Sequence, residues 1–243
     1  MSSLPDLQAL AWDSDFLGFP VARLTAAVQS AEALRSAISA ARQAGQLNLL
    51  YLVLDPADTA AAAVAEAAGA WLADRKVTFA MTLPAGSTSQ PTATAIETAT
   101  AYSPQLESLA WQSGAYSRFR LDRNFAPTVF QSLYSQWLRN SLAGSIARRV
   151  LVWRAAGGQE LGLLTLGEKN GRADIGLLAV DAVTRGQGVG QQMVAAAQTQ
   201  AAAWGYTKLQ VVTQRDNEPA CRFYKKCGFM LVAEEHIYHL WLD

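Results

Sequence analysis

Three glycines fall within five positions in the stretch Arg185-Gly186-Gln187-Gly188-Val189-Gly190, between the apolar run 173–180 and an Ala-rich helical pattern. Ordering that much glycine costs backbone entropy, so such a stretch suits a place where the backbone must approach something closely or take a conformation that side chains forbid. Three strand-like runs precede it, at 148–155, 160–167 and 173–180, separated by Ala-Gly-Gly-Gln and by Asn170-Gly171. Asn-Gly between two such runs is a hairpin signal, so the loop follows an antiparallel meander. That context excludes two familiar phosphate loops. The full G-x-G-x-x-G spacing after a parallel strand is missing, and no Lys-Ser/Thr pair follows the glycines. What remains is a row of backbone N–H groups at a helix start, which forms an anion site. Arg185 adds a fixed positive charge suited to phosphate. The plain alternative is a strand-to-helix turn that holds no ligand.

Charge and composition narrow the partners. The chain has 20 basic and 20 acidic residues, so a general attraction to nucleic acid or to an anionic membrane is not expected. No apolar run reaches the ~18 residues that span a bilayer, and Met1–Asp15 lacks the basic and apolar regions of a signal peptide. Cys221 and Cys227 lie six apart in a helical pattern and point to different faces, which disfavours a disulfide. His236 and His239 are three apart in a strand pattern and face opposite sides. A soluble, cytoplasmic protein without a metal is expected.

The stretch 84–94 holds two prolines with Gly, Ser and Thr and no large apolar residue, a linker composition that divides the chain. Residues 1–83 read as strand (19–26), helix (30–45, with Ser30 as cap and Gly45 as stop), strand (48–54), helix (58–69) and strand (71–83). Residues 95–243 read as helices at 103–114 and 126–144, the meander, the glycine loop with a helix to about Trp204, a strand at 208–214, a helix at 218–228, and closing strands 229–235 and 236–243. Alternating strands and helices give an α/β (α+β) class, with a 51 % hydrophobic fraction that suffices for a core in one or two domains.

Arg185, Gly188 and Gly190 form R-x-x-G-x-G, which resembles the pyrophosphate-binding motif of the GCN5-related N-acetyltransferases, the GNAT superfamily. The run "NEPACRFYKKCGF" matches that superfamily's downstream pattern at Asn217, Ala220, Tyr224, Gly228 and Phe229, and the likeness spans 95–243. It implies a mixed central sheet whose two middle parallel strands splay apart. It implies acetyl-coenzyme A as co-substrate, with no metal. The backbone N–H groups of Gln187, Gly188, Val189, Gly190 and Gln191 would then face the pyrophosphate, beside Arg185. The strand edge at Leu178, Ala179 and Val180 would pair with pantetheine like an added strand, and an N–H near Val180 would stabilise the oxyanion of a tetrahedral intermediate. Asn217 reads as a pantetheine contact, as a helix N-cap, or as both together.

Tyr224 is the expected proton donor to the departing thiolate. With a thiol near 8.5 and a tyrosine near 10, full transfer is uphill by about 2 kcal/mol, small enough for a positioned hydrogen bond to assist departure. The other reading packs Tyr224 on a helix face beside Cys221 and Gly228. No base stands out for the amine proton. Asp174 and Glu168, near the hairpin, read as solvated surface charges.

A closer resemblance is to the members of the superfamily that acetylate a dTDP-linked 4-amino-4,6-dideoxygalactose. It rests on "LAWDSDFLG" (10–18), "SRFRLD" (117–122), "LYSQWLRN" (133–140) and "IGLLAV" (175–180). That likeness implies a nucleotide-sugar acceptor, a possible homodimer, and a place in antigen or polysaccharide synthesis. Arg118 and Arg120 suit a sugar diphosphate, with Tyr116 and Phe119 as stacking surfaces. The same residues also read as a basic, mobile surface loop. Two other functions stay open: a GNAT that acetylates a protein N-terminus, an amino acid or a small amine, and a non-catalytic acyl-coenzyme A-binding module. The helix–Gly–strand ending of residues 1–83 echoes the end of the chain but lacks R-x-x-G-x-G, which fits a degenerate GNAT-like half.

Overall fold

In a computed structural model of the chain, the structure describes residues 7–24, 31–44, 46–83 and 95–242. The linker at 84–94, the Ser30 cap and the Gly45 stop lie outside these residues. The chain forms two compact units, divided between Val77 and Thr78 and again between Val232 and Ala233.

The first unit holds β1 (Leu7–Ala9), α1 (Ala11–Leu17), β2 (Val21–Leu24), α2 (Ala31–Ala44), β3 (Leu49–Leu54), α3 (Thr59–Ala67), the start of β4 (Trp71–Thr82) and the end of β10 (Met230–Trp241). Its strands lie in the order β1-β2-β3-β10-β4. β2 and β3 are parallel, joined through α2, and β10 runs antiparallel to β3 from His236 opposite Leu54 to Trp241 opposite Leu49. β3 reads Leu-Leu-Tyr-Leu-Val-Leu because both its faces are covered; only Val53 is less than fully buried. Leu34 and Ile38 of α2, Ala61 and Ala65 of α3, and Leu50, Leu52, Tyr238 and Leu240 form one apolar cluster. Each Leu or Ile removed from water there contributes roughly 1.5–3 kcal/mol. Asp58 caps α3 by accepting from the Ala61 N–H at 2.9 Å.

β1 and α1 are not among the elements read from the sequence: α1 has no side-chain cap and no buried residue, and it stops at Gly18 with φ +78°. The two closing strands are in fact one, β10, because no turn-forming residue separates Glu235 from His236. Its segment from Ala233 counts with the first unit.

The second unit contains the end of β4, β5 (Ile96–Thr98), α4 (Pro104–Ser113), α5 (Arg118–Leu121), α6 (Pro127–Leu142), β6 (Arg149–Arg154), β7 (Glu160–Lys169), β8 (Arg172–Val180), α7 (Val189–Ala203), β9 (Lys208–Gln214) and α8 (Glu218–Lys226). Its strand order is β4-β9-β8-β7-β6-β5. The pairs β5–β6, β6–β7 and β7–β8 are antiparallel, and β8 and β9 are parallel. Asn170 and Gly171, at φ +55° and +72°, turn the β7–β8 hairpin with the two left-handed residues that match strand twist. Ser103 caps α4 through the Leu106 N–H at 3.1 Å, with Pro104 in the first helical position. Leu106, Leu109, Leu133 and Leu138 of α4 and α6 are buried to 1 % exposure or less.

Candidate functional site

Strand β8 bends in its middle. Leu164 of β7 faces Leu178 and Leu166 faces Ile175, so Gly176 and Leu177 together oppose Thr165. This is a β-bulge, which bends the bulged strand and sharpens its twist. The extra N–H at Leu177 donates to Thr165 Oγ1 at 2.8 Å, and a Cβ on Gly176 would come within 2.9 Å of that same oxygen. Beyond the bulge β8 leaves its parallel neighbour. The β8–β9 ladder covers Ala173–Ile175 against Leu209–Val211 and stops, although β8 runs to Val180 and β9 to Gln214. The Asp181 N–H donates towards β7, to the Leu161 carbonyl at 2.8 Å. Since N–H directions alternate along a strand, Leu178 and Val180 turn theirs to the side on which β9 has departed.

The glycine loop begins at this strand end. Asp181 caps a short 3-10 turn (Ala182–Thr184) through the Val183 N–H at 3.1 Å. The loop therefore reaches its helix through an intervening turn. Arg185 folds back: its Nε donates to the Val180 carbonyl at 2.9 Å and an Nη donates to Gln112 Oε1 of α4 at 2.9 Å. Gln112 Nε2 in turn donates to Asp181 Oδ2 at 3.4 Å. The three glycines serve two purposes. Gly186 and Gly188 are left-handed, at φ +79° and +81°, whereas a Cβ on Gly190 would meet the Phe223 ring at 3.1 Å.

Helix α7 starts from Gly188 with no side-chain cap. Its first helical bond is Gln192 N–H to the Gly188 carbonyl at 3.1 Å, so the N–H groups of Gly188, Val189, Gly190 and Gln191 precede the ladder. The Gln187 N–H is different, because it donates to the Thr184 carbonyl at 3.3 Å while Gln187 Nε2 donates to Val183 O at 3.1 Å. Of the five N–H groups expected to face an anion, four remain. An uncapped helix start beside a strand with an open edge fits a ligand that carries both phosphate and amide groups.

Asn217 caps α8, accepting from the Ala220 N–H at 3.3 Å, and its Nδ2 donates to Thr213 Oγ1 at 3.5 Å. Asn217 thus fills the capping role, which uses its Oδ1. Tyr224, in the last turn of α8, is 6 % exposed among Phe79, Phe223 and Phe229, with ring centroids 6.0, 5.3 and 5.7 Å away. Burial pushes its phenol far above the ordinary tyrosine range, with Cys227 and Cys221 adding to the effect. The hydroxyl is accordingly neutral and a donor across the physiological range.

The segment 117–122 forms a helical turn at the surface, where the alternative reading has a loop. Ser117 is buried and caps α5 through the Phe119 N–H at 3.3 Å. Arg118 lies over the Phe119 ring at 4.9 Å and Arg120 over the Phe130 ring at 5.5 Å. Phe119 and Arg120 line a groove of about 670 Å³ between α4, α5 and α6, together with Trp111, Gln112, Arg123 and Phe130. Tyr116 and Arg118 are not among its lining residues. Trp111, Gln112 and Arg123 carry no motif, so sequence reasoning missed them; Arg123 alone had a signal, next to the quoted basic segment.

The two acidic residues near the hairpin differ. Glu168 is exposed and accepts from the Gly171 N–H at 3.0 Å, as a surface charge does. Asp174 is half-buried. It sits within the paired part of β8 and β9, where Gln210 Nε2 donates to its Oδ1 at 2.9 Å, and burial raises its pKa against the opposing pull of that hydrogen bond and of Lys169. Cys221 and Cys227 are free thiols. Among the described residues, no group of three or more His, Cys, Asp or Glu is placed to hold a metal ion, and no helix is long and apolar enough to cross a membrane.

The sequence profile of the Acetyltransferase (GNAT) family matches residues 109–229. The dTDP-fucosamine acetyltransferase of Escherichia coli O6:H1 is 37 % identical over 126 residues, which are 51 % of this chain and 53 % of that protein. The match thus spans about half the length of that relative. A GCN5-related N-acetyltransferase from Sphaerobacter thermophilus shares the fold over 97 % of this chain and 76 % of its own, with TM-score 0.56 and 14 % identity. A tandem GNAT protein of the clavulanic acid biosynthesis pathway covers 92 % of this chain and 76 % of its own, with TM-score 0.50 and 16 % identity.

Proposed function

Residues 109–229 belong to the acetyltransferase (GNAT) family, and we propose that the chain transfers an acetyl group from acetyl-coenzyme A to the amine of a nucleotide-linked amino sugar. The observation that carries this reading is the open edge of β8 past Ile175, which leads into an uncapped helix start. In this reading the N–H groups of Gly188 to Gln191 hold the pyrophosphate, and the β8 edge at Leu178 bonds a pantetheine amide, which leaves the Val180 N–H for the thioester. Asn217 keeps α8 in place at the mouth of β9.

The chain's residues divide the chemistry as follows. The amine nitrogen bonds to the thioester carbonyl carbon, and the Val180 N–H donates to the oxygen as it gains charge. The carbon–sulfur bond then breaks, and the Tyr224 hydroxyl donates a hydrogen bond or its proton to the departing sulfur while the amine proton passes to solvent. Burial raises Tyr224, but a thiolate leaving into the same apolar surroundings is raised by the same desolvation. The two shifts run in the same direction and offset each other in part.

The acceptor reading rests on the groove of α4, α5 and α6. Arg120 and Arg123 offer two guanidinium forks to a diphosphate, and Trp111, Phe119 and Phe130 offer aromatic surface to a base or sugar. Similarity to a dTDP-fucosamine acetyltransferase supports the same class. Likeness to a tandem GNAT protein supports reading the first unit as a degenerate GNAT half. A cytoplasmic homodimer belongs to the same reading, and sedimentation that gives a monomer at micromolar concentration removes the dimer.

Thiol release from acetyl-coenzyme A with dTDP-4-amino-4,6-dideoxygalactose tests the function. Turnover that saturates in both substrates is the expected result. Turnover only with simple amines, amino acids or peptides shifts the acceptor class. Coenzyme A binding with no turnover over a broad amine panel makes the chain a binding module instead.

A further inference from the structure

The Gln112 side chain has one foot in each half of the proposed site. It lines the groove of α4, α5 and α6, and it also closes a ring of contacts at the root of the glycine loop. Its Oε1 accepts from Arg185, its Nε2 donates to Asp181, and Arg185 itself bonds the Val180 carbonyl. The partners fix the amide's orientation. A flipped amide would set donor against guanidinium and acceptor against carboxylate. An amide nitrogen has two hydrogens and its oxygen two lone pairs. The ring takes one of each, which leaves one donor and one acceptor for a ligand in the groove.

We propose that Gln112 is a positioning residue that couples occupancy of the acceptor groove to the affinity of the coenzyme A loop. This rests on the acceptor reading above. A diphosphate or sugar hydroxyl that engages the free hydrogen of Nε2 holds the amide in its observed rotamer. That rotamer presents Oε1 to Arg185 and Nε2 to Asp181, so Arg185 is fixed on the end of β8 and Asp181 on the 3-10 turn. Whichever ligand binds first meets the ordering cost of this ring, and the second binds more tightly. The 3.4 Å Gln112–Asp181 contact is long for a hydrogen bond to a carboxylate, which leaves it room to tighten when a ligand settles the amide.

The coupling is read by titrating coenzyme A calorimetrically with and without saturating dTDP, using the whole chain. Wild type should bind coenzyme A about fivefold more tightly with dTDP present, at the lower end of common coupling strengths. Gln112→Ala should bring that factor to about one while each ligand alone still binds. Gln112→Glu keeps an acceptor for Arg185 and loses both N–H donors, so it should also lack coupling. A side chain with a merely structural role would weaken both ligands and leave the factor intact. A factor that persists in either variant overturns the proposal. Independent binding of the two ligands to wild type overturns it while leaving the acceptor reading in place. Failure of dTDP to bind at all overturns both.

Discussion

Arg185 donates through Nε to the carbonyl of Val180, five residues earlier, at 2.9 Å. The arginine of the R-x-x-G-x-G motif thus spends its fork on the end of its own strand and on Gln112. The positive charge stays beside the loop, yet the guanidinium's observed contacts are with protein. Its principal effect is to set where the strand stops and the loop begins.

Arg185→Lys should therefore behave more like Arg185→Ala than a conserved charge implies. A lysine has one nitrogen and cannot span the Val180 carbonyl and Gln112 Oε1 together. Both variants should raise the KM for acetyl-coenzyme A about tenfold, the loss expected for one hydrogen bond to a charged group. Full recovery in the lysine variant would show that charge alone matters and would remove the positioning role.

Gly188 and Gly190 fail for different reasons when replaced by alanine. Gly188 sits at φ +81° with open space around it, so a Cβ strains the backbone without a clash and costs about 1–2 kcal/mol. Gly190 has ordinary helical φ, but its Cβ would press on the Phe223 ring at 3.1 Å. Gly188→Ala should lower the melting temperature, and Gly190→Ala should displace α8 and be relieved by a second change, Phe223→Leu. Thermal denaturation of the single and double variants checks this; equal losses in Gly190→Ala with and without the second change would locate the problem elsewhere.

The sequence made much of this legible, and unevenly. Ser103 and Pro104 announce α4, apolar spacing announces α6, an Ala-rich run after the glycines announces α7, an apolar run announces β9, and Asn170-Gly171 marks its hairpin. The glycine loop and Tyr224 are visible because their residue types are rare in such spacing. The groove is not visible: Trp111, Gln112, Arg123 and Phe130 come from three separate segments that only packing brings together. Asp174 misleads for a related reason. A charged residue near a hairpin is normally solvated, and its burial arises from the parallel partner strand, where Gln210 lies 36 residues away. The bulge at Gly176-Leu177 depends on which residues face each other across strands, a relation the linear pattern does not carry.

Asp174→Asn should stabilise the protein at neutral pH. Burial raises the folded-state pKa of Asp174 above its unfolded value, so the folded chain holds the extra proton between the two values. The stability from that proton is present at low pH and lost as pH rises through the window. Above it, a half-buried charge with Gln210 as its hydrogen-bond partner is what remains, and asparagine removes that charge while keeping an oxygen for Gln210. The melting temperature of the variant should exceed wild type at pH 7, and the difference should shrink towards pH 4. A variant less stable than wild type at pH 7 would mean that the carboxylate is favourably held.

The groove's arginines should govern the acceptor and leave the thioester substrate alone. Arg120→Ala and Arg123→Ala should each raise the KM for the nucleotide sugar about tenfold, in keeping with one charge-assisted contact. The double variant should also lose most of the salt dependence of that KM. The KM for acetyl-coenzyme A should move by no more than about twofold. An unchanged nucleotide-sugar KM in the double variant would place the diphosphate elsewhere.

Tyr224→Phe separates the chemical role from the packing role most cleanly. The ring lies among Phe79, Phe223 and Phe229, and phenylalanine preserves those contacts, so the variant should melt within a degree or two of wild type. Coenzyme A binding should be unaltered, because the loop N–H groups do not involve the hydroxyl. The kcat should fall by about 10²-fold, the lower end of what a positioned proton donor contributes. The pH profile adds an independent readout. Since burial holds the phenol well above its ordinary range, wild-type kcat should show no alkaline decline from tyrosine ionisation up to about pH 10. In the variant the departing thiolate must draw a proton from water, so its rate should depend more steeply on the basicity of the leaving thiol. Comparing acetyl-coenzyme A with an acetyl thioester of lower thiol pKa measures that dependence, and an equal response in both proteins would take the proton donor's role away from Tyr224.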